Sequence, residues 1–176
     1  TSTRRSSSAA SDVYKRQRKV SDVLFRKHRV FRETQDVIFF DISVEESNAS
    51  DLVVHTGAAI SPPNDLVGAK QFYIHYHQTD FNRVVQGERQ FELVNFDWKY
   101  PYHIVHLNRS SGALVIPTKT FHRSICGEEG SIVINQSSRT EGFDHDKEFI
   151  PVSAAENKKL YEILKHEKPV VHTLGE

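Results

Sequence analysis

The sequence has little cysteine and no long hydrophobic run, and each absence excludes a class of protein. Cys126 is the single cysteine, so no disulfide can form within the chain and a reducing, cytoplasmic location is expected. No apolar stretch approaches the roughly 20 residues that cross a bilayer. Basic and acidic residues number 23 each, and they form no basic patch of the kind that binds nucleic acid. These absences favour a globular protein whose partner is a small molecule.

The first 17 residues differ from the rest of the chain. Residues 7–17 can be back-translated, codon by codon, into the transposon-end adapter used in sequencing libraries. We therefore interpret residues 1–17 as a translated adapter that is disordered and outside the fold. The alternative is a leader or transit peptide rich in serine and arginine. Residues 18–176 are enough for one domain with a substantial core and too few for two.

A predicted strand with two histidines is the most informative stretch. Aromatic and β-branched residues dominate 72–76, a composition that predicts a β-strand. His75 and His77 would then share one face, about 6.6 Å apart along the chain, where each could give one metal ion a nitrogen ligand at about 2.1 Å. A third imidazole is expected from His122, which follows the predicted strand 113–116. The pattern predicts a three-histidine metal site in an all-β domain.

These residues resemble the two sequence motifs of the cupin superfamily. The match is carried by Gly68, His75, His77, Gly87, Gly112, Pro117 and His122. The resemblance covers residues 68–136 and implies a double-stranded β-helix, the cupin jelly roll. Most metal-binding cupins have Glu or Gln in the first motif where this sequence has Asn82. The chain therefore resembles the three-histidine iron cupins, with Asn82 as a weak oxygen ligand or as no ligand.

The expected chemistry follows from this ligand set. Three neutral imidazoles leave a divalent ion with its full double charge and with open positions for a bidentate substrate. With Fe(II), those positions could also admit oxygen, and the resemblance implies a non-haem Fe(II) dioxygenase as the first interpretation. With Zn, Ni or Mn, the alternative is a sugar isomerase, epimerase or lyase. A cupin that binds a metal or ligand without turnover is a further alternative, and a homodimer is expected.

Two further residues are candidate catalytic groups. Tyr73 shares the strand face of the two motif histidines, so its phenol could act as an acid or a hydrogen-bond donor; the alternative is a core aromatic. His103 and His106 lie three apart and so point to opposite faces of their strand. His106 reaches the pocket if Ile104 shares the inward face, and otherwise both histidines are ordinary strand positions.

The rest of the chain predicts short strands separated by turns, as in a sandwich or barrel. Gln86, Gly87 and Glu88 predict a hairpin turn between two strands. Ser153 and Glu156 have capping-box spacing, which predicts a helix over 154–165 that covers a sheet face or a dimer partner. Its apolar stripe is expected to consist of Leu160, Ile163 and Leu164.

Overall fold

The structure is a computed structural model that describes residues 24–26 and 29–173; the segment interpreted as an adapter lies outside this range. The strands are β1 (Phe25–Arg26), β2 (Arg29–Glu33), β3 (Ile38–Asp41), β4 (Ala49–His55), β5 (Ala59–Ser61), β6 (Gln71–Ile74), β7 (Gln78–Val94), β8 (Tyr102–Asn108), β9 (Ala113–Ile116), β10 (Phe121–Cys126), β11 (Ser131–Arg139), β12 (Val152–Ser153) and β13 (Val170–Thr173). The helices are α1 (His145–Glu148) and α2 (Lys158–His166). None of the helices in the described ranges is long and apolar enough to cross a membrane.

The long strand β7 belongs to two sheets. Its first half pairs with β9 and β11, and β1 and β4 lie beyond them. Its second half pairs with β8 and β10; β13 runs parallel to β8, and β5 and β6 pair with β10. The inner faces of the two sheets meet in one core, to which Val84, Phe91, Leu107, Leu114 and Val133 all contribute.

Gly87 lies inside this strand, so the hairpin predicted at that position is wrong. The glycine has a φ of 72°, and a Cβ there would come within 2.5 Å of the Gly130 carbonyl oxygen. The pairing of β7 with β11 also shifts register between Ile132 and Val133. A glycine at a close backbone approach beside a β-bulge bends a strand without ending it. This bend lets one strand pass from the first sheet to the second.

Alternation along β7 places polar side chains at one end of the barrel interior. Val84 faces the core, and in the regular part of β7 before the bend every second residue shares a face. Gln78, Asp80 and Asn82 therefore point inward, and each is at most 8% exposed. The interior of this barrel is therefore apolar at one end and polar at the other.

The C-terminal helix begins later than predicted. Helix α2 starts at Lys158, and the side chain of Asn157 caps it by accepting from the Leu160 amide. The predicted cap Ser153 lies in β12, where its hydroxyl donates to Asp65 Oδ2 at 2.6 Å. The apolar stripe is as expected: Leu160 is fully buried against the outer face of the second sheet, beside Phe72. The helix thus covers a sheet face of its own chain.

The hairpin formed by β2 and β3 is separate from the two main sheets. Four of its large apolar side chains are exposed, as are two on the outer face of edge strand β4; they are Val30, Phe31, Ile38 and Phe40, and Leu52 and Val54. Exposed apolar groups of this kind often mark an interface. The homodimer expected from the sequence stays a prediction.

Candidate functional site

Three buried polar side chains converge at the polar end of the barrel. His75 follows the end of β6, Asp80 lies near the start of β7, and His122 is the second residue of β10. Their exposed fractions are 4%, 2% and 8%. Their nearest nitrogen and oxygen atoms all lie within 4.8 Å of one another. Asp80 Oδ2 is 3.7 Å from His75 Nε2 and 3.8 Å from His122 Nε2.

These separations fit ligands of a shared ion better than a hydrogen-bonded cluster. They are too long for hydrogen bonds, which in proteins rarely exceed about 3.2 Å. Two donors that each lie about 2.1 Å from one ion are at most about 4.2 Å apart. Both contacts to Asp80 Oδ2 fall inside that limit, whereas the largest separation in the group, up to 4.8 Å, exceeds it, so the two imidazole nitrogens would move closer together to hold one ion.

The orientation of both imidazoles is set by backbone carbonyls. His75 Nδ1 lies 2.9 Å from the carbonyl oxygen of Glu148, and His122 Nδ1 lies 3.0 Å from that of Thr120. A carbonyl only accepts, so each Nδ1 donates its proton and each Nε2 keeps a lone pair. The pKa of His122 is lowered to about 4, chiefly by burial; Asp80 opposes this shift, and the nearby His75 adds to it. His122 is therefore neutral at pH 7 and available as a ligand or a base.

Amide groups hold the third member of the group, Asp80. Its Oδ1 accepts hydrogen bonds from Gln78 Nε2 at 2.6 Å and from Asn135 Nδ2 at 2.8 Å. Arg139 Nε in turn donates to Gln78 Oε1 at 2.7 Å, and the Phe81 amide donates to Asn135 Oδ1 at 3.1 Å. One carboxylate oxygen is thus occupied by donors while Oδ2 faces the two imidazoles. This is how outer hydrogen bonds orient metal ligands.

The donor set fits a divalent transition metal. Two neutral imidazoles and one carboxylate are ligands that Zn, Ni, Mn and Fe(II) accept. The structure brings His75 and His122 together as the sequence predicts, but the third member is Asp80. As metal ligands, two neutral imidazoles and one carboxylate would give the group one negative charge, whereas the expected three-histidine set would be neutral.

His77 lies outside this group, and the predicted strand through it is wrong. Strand β6 ends at Ile74, the chain bends at Tyr76 and His77, and β7 starts at Gln78. The bend removes the two-residue alternation that would have put His75 and His77 on one face. His77 is exposed, and its Nδ1 lies 3.1 Å from Thr140 Oγ1.

Asn82 lies two residues beyond Asp80 on the same face of β7. It is 8% exposed and pairs with Asn135 across the sheet. Its role as a weak ligand stays a prediction. The missed ligand candidate, Asp80, had a signal in the sequence: an acidic residue two positions before Asn82 shares its strand face.

Tyr73 lies beside the group, as expected from its position in β6. Its ring centroid is 6.2 Å from those of His122 and Phe149. Phe149, a residue that the sequence did not single out, packs edge-on at 5.0 Å against the His75 ring. The two aromatic rings flank the imidazoles. A catalytic role for Tyr73 stays a prediction.

His106 does not reach the site. Ile104 packs outside the barrel, against the apolar cluster that contains Leu160 of α2. His106, which shares its strand face, therefore also points outward. His106 is exposed and shares an outward depression with Gln90. The inward histidine of β8 is His103, whose Nδ1 lies 3.0 Å from His172 Nε2.

Solved structures with the same architecture include sugar isomerases and epimerases. QdtA, a sugar 3,4-ketoisomerase from Thermoanaerobacterium thermosaccharolyticum in complex with TDP, matches with a TM-score of 0.53 and 12% identity over 78% of this chain and 88% of its own. RmlC, a dTDP-6-deoxy-D-glucose-3,5-epimerase from Legionella pneumophila Philadelphia 1, matches with a TM-score of 0.52 and 9% identity over 72% of this chain and 69% of its own. A dTDP-4-dehydrorhamnose 3,5-epimerase from Elizabethkingia anophelis NUHP1 matches with a TM-score of 0.51 and 10% identity, covering 72% of each chain.

At these identities the likeness shows the fold alone. The neighbours belong to the cupin superfamily, and the predicted cupin jelly roll is confirmed. No protein-family model and no curated protein matches the sequence.

Proposed function

We propose that this protein is a metal-dependent isomerase or epimerase that moves a proton on a sugar bearing a carbonyl group. The observation that carries the proposal is the buried group of His75, Asp80 and His122, whose two nitrogen lone pairs and one carboxylate oxygen face one another. The neighbours with the same fold, a ketoisomerase and two epimerases of keto sugars, support the reaction class. They favour this alternative over the dioxygenase interpretation.

The three residues of the group would hold the ion in a fixed geometry. A Zn, Ni or Mn ion held there would supply Lewis acidity, which would make the C–H next to a carbonyl easier to deprotonate. His75 and His122 present Nε2 because their Nδ1 protons are donated to carbonyls. Asp80 adds one negative charge and is kept in place by Gln78 and Asn135. Little reorganisation is needed when substrate arrives, and such preorganisation lowers the barrier.

We assign the proton transfer to Tyr73. As the phenolate it can take the proton from the carbon next to the carbonyl, and the phenol so formed can return that proton to the sugar, as isomerisation requires. Its half-buried ring lies next to His122 and Phe149, so a substrate at the group would be within its reach. Phe149 packs edge-on against the His75 ring.

Metal analysis combined with isotope exchange tests this function. Tag-free protein is analysed for bound metal and then incubated in D₂O with a TDP-linked 4-keto-6-deoxy sugar, the kind of ligand bound by a QdtA variant of the same fold. We expect a stoichiometric divalent ion and deuterium uptake, seen by proton NMR, at a carbon next to the carbonyl. Chelation should abolish the uptake.

Three results would overturn the proposal. Undiminished exchange in metal-free protein would mean that the histidines act as bases without an ion. Oxygen consumption with thiols or diketones would restore the dioxygenase interpretation. Tight metal binding without exchange on any keto sugar would favour a binding protein.

A further inference from the structure

Glu148, at the end of α1, makes three hydrogen bonds to the motif that contains His75. Its Oε2 accepts from the Tyr76 amide at 2.8 Å, and its Oε1 accepts from the His77 amide at 3.1 Å. Its backbone carbonyl accepts from His75 Nδ1 at 2.9 Å. Glu148 is 4% exposed. One buried residue thus contacts three consecutive residues of the motif that lie more than seventy positions away in the chain.

The carboxylate and the carbonyl of Glu148 have different tasks. A buried carboxylate is costly unless donors compensate its charge, and two backbone N–H groups do so here. These bonds fix the position of residue 148 relative to the bend after β6. The carbonyl of the same residue then decides which nitrogen of His75 carries the proton. The side chain of Glu148 therefore controls the direction of the His75 lone pair, both through its own backbone and through Oε2, which lies 3.6 Å from His75 Nδ1.

The segment around Glu148, residues 140–149, is anchored to the same bend by His77. The Thr140 amide donates to the His77 carbonyl at 2.9 Å, and Thr140 Oγ1 lies 3.1 Å from His77 Nδ1. Gly142 packs so closely that a Cβ there would lie 2.6 Å from His77 Cε1. Both ends of the segment are thus held on the motif, and the second motif histidine has a structural partner outside the group.

We propose that Glu148 is a positioning residue for His75 and that His77 anchors the segment 140–149 that carries it. The part that concerns the ion rests on the proposed function; the part that concerns the His75 tautomer does not. Outer residues that hold a ligating histidine typically change metal affinity by about 10- to 100-fold when they are removed.

Substitutions of Glu148 with a charge-matched control test this role. Glu148→Ala removes both carboxylate acceptors, and Glu148→Gln leaves one amide oxygen in nearly the same volume. Asp146→Asn, on the exposed face of α1, removes the same charge without touching the bend. The first readout is the nitrogen NMR signal of the His75 ring in metal-free protein, and the second is the rate of metal loss to a chelator.

We expect Asp146→Asn to match the wild type in both readouts. Glu148→Ala should give a mixture of His75 tautomers and lose metal at least about 10-fold faster, with Glu148→Gln between the two. If Glu148→Ala fails to fold, Glu148→Gln decides, because it keeps the shape of the side chain. Folded Glu148 variants with a single Nδ1–H tautomer and the wild-type release rate would overturn the proposal. A changed tautomer in a protein without isomerase activity would retain the positioning role and reject the proposed function.

Discussion

Two pairs of buried histidines lie inside this barrel, and they differ in what their free atoms face. In the pair His75 and His122, both Nδ1 protons go to backbone carbonyls, so both lone pairs face the carboxylate of Asp80. In the pair His103 and His172, the two rings are stacked and bond each other at 3.0 Å.

We call His103 and His172 the closed pair, because their rings hydrogen-bond to each other. His103 Nε2 donates to the Tyr100 carbonyl at 2.6 Å, so its Nδ1 accepts the proton of His172 Nε2. The lone pair of His103 is thus used within the pair, so the two rings do not present converging lone pairs. Burial of two imidazoles is common to both places, and a nearby carboxylate with converging lone pairs distinguishes the candidate site from a structural contact.

The largest difference between the pairs should appear in metal content and turnover. Replacing His75 or His122 with Ala removes a coordinating nitrogen, so we expect loss of most of the metal and of the deuterium uptake. His172→Gln should keep both, because the Gln amide can still donate to His103. Elemental analysis after dialysis and the NMR exchange assay measure the two effects. Full metal occupancy in His122→Ala would mean that the two histidine pairs do not differ in metal binding.

Folding stability should depend more on the closed pair. His103→Ala removes two hydrogen bonds and the edge contact with Trp98, whose ring lies 5.0 Å away. We expect a loss of about 3 kcal/mol in the free energy of unfolding, measured by urea denaturation of metal-free protein. His122→Ala, which removes the hydrogen bond from its Nδ1 to the Thr120 carbonyl, should cost less. Equal losses would show that both pairs are structural.

Acid should act on the closed pair as well. Burial and the neighbouring His103 lower the pKa of His172 to about 4 from its ordinary value of 6.5. Between those pH values the unfolded chain binds a proton that the folded chain does not, so stability falls as the pH is lowered from 6.5 to about 4. His172→Gln should show a shallower fall in Tm over this window. The lowered pKa of His122 acts in the same direction, but His122 is present in both proteins. Parallel curves of Tm against pH would therefore mean that His172 does not contribute.

How far the sequence predicts this arrangement depends on the range of the interactions involved. The strand Ala113–Ile116 that precedes His122 and the apolar stripe of α2 follow from local sequence patterns and were predicted correctly. The bend at His77 was not, because Glu148 and Thr140 stabilise it from distant positions. The inward orientation of Asp80 was missed because it depends on where β7 begins, and β7 begins directly after the unpredicted bend.

The smallest effect is expected at Asn82. It shares the face of Asp80 but lies one inward position further along β7. Asn82→Ala should therefore keep the metal, with only a modest loss of metal affinity. Competition with a chelator measures the change. A site emptied by this substitution would make the amide a true ligand and would enlarge the group of three.

The most direct test compares the metal content of tag-free Asp80→Asn and His77→Ala proteins, prepared side by side with the wild type. Asp80 faces both imidazole lone pairs, whereas His77 is exposed and bonded to Thr140. We expect Asp80→Asn to lose most of its metal and His77→Ala to retain most of it. The reverse result, an empty His77→Ala protein and a full Asp80→Asn protein, would contradict the assigned group and restore the three-histidine site.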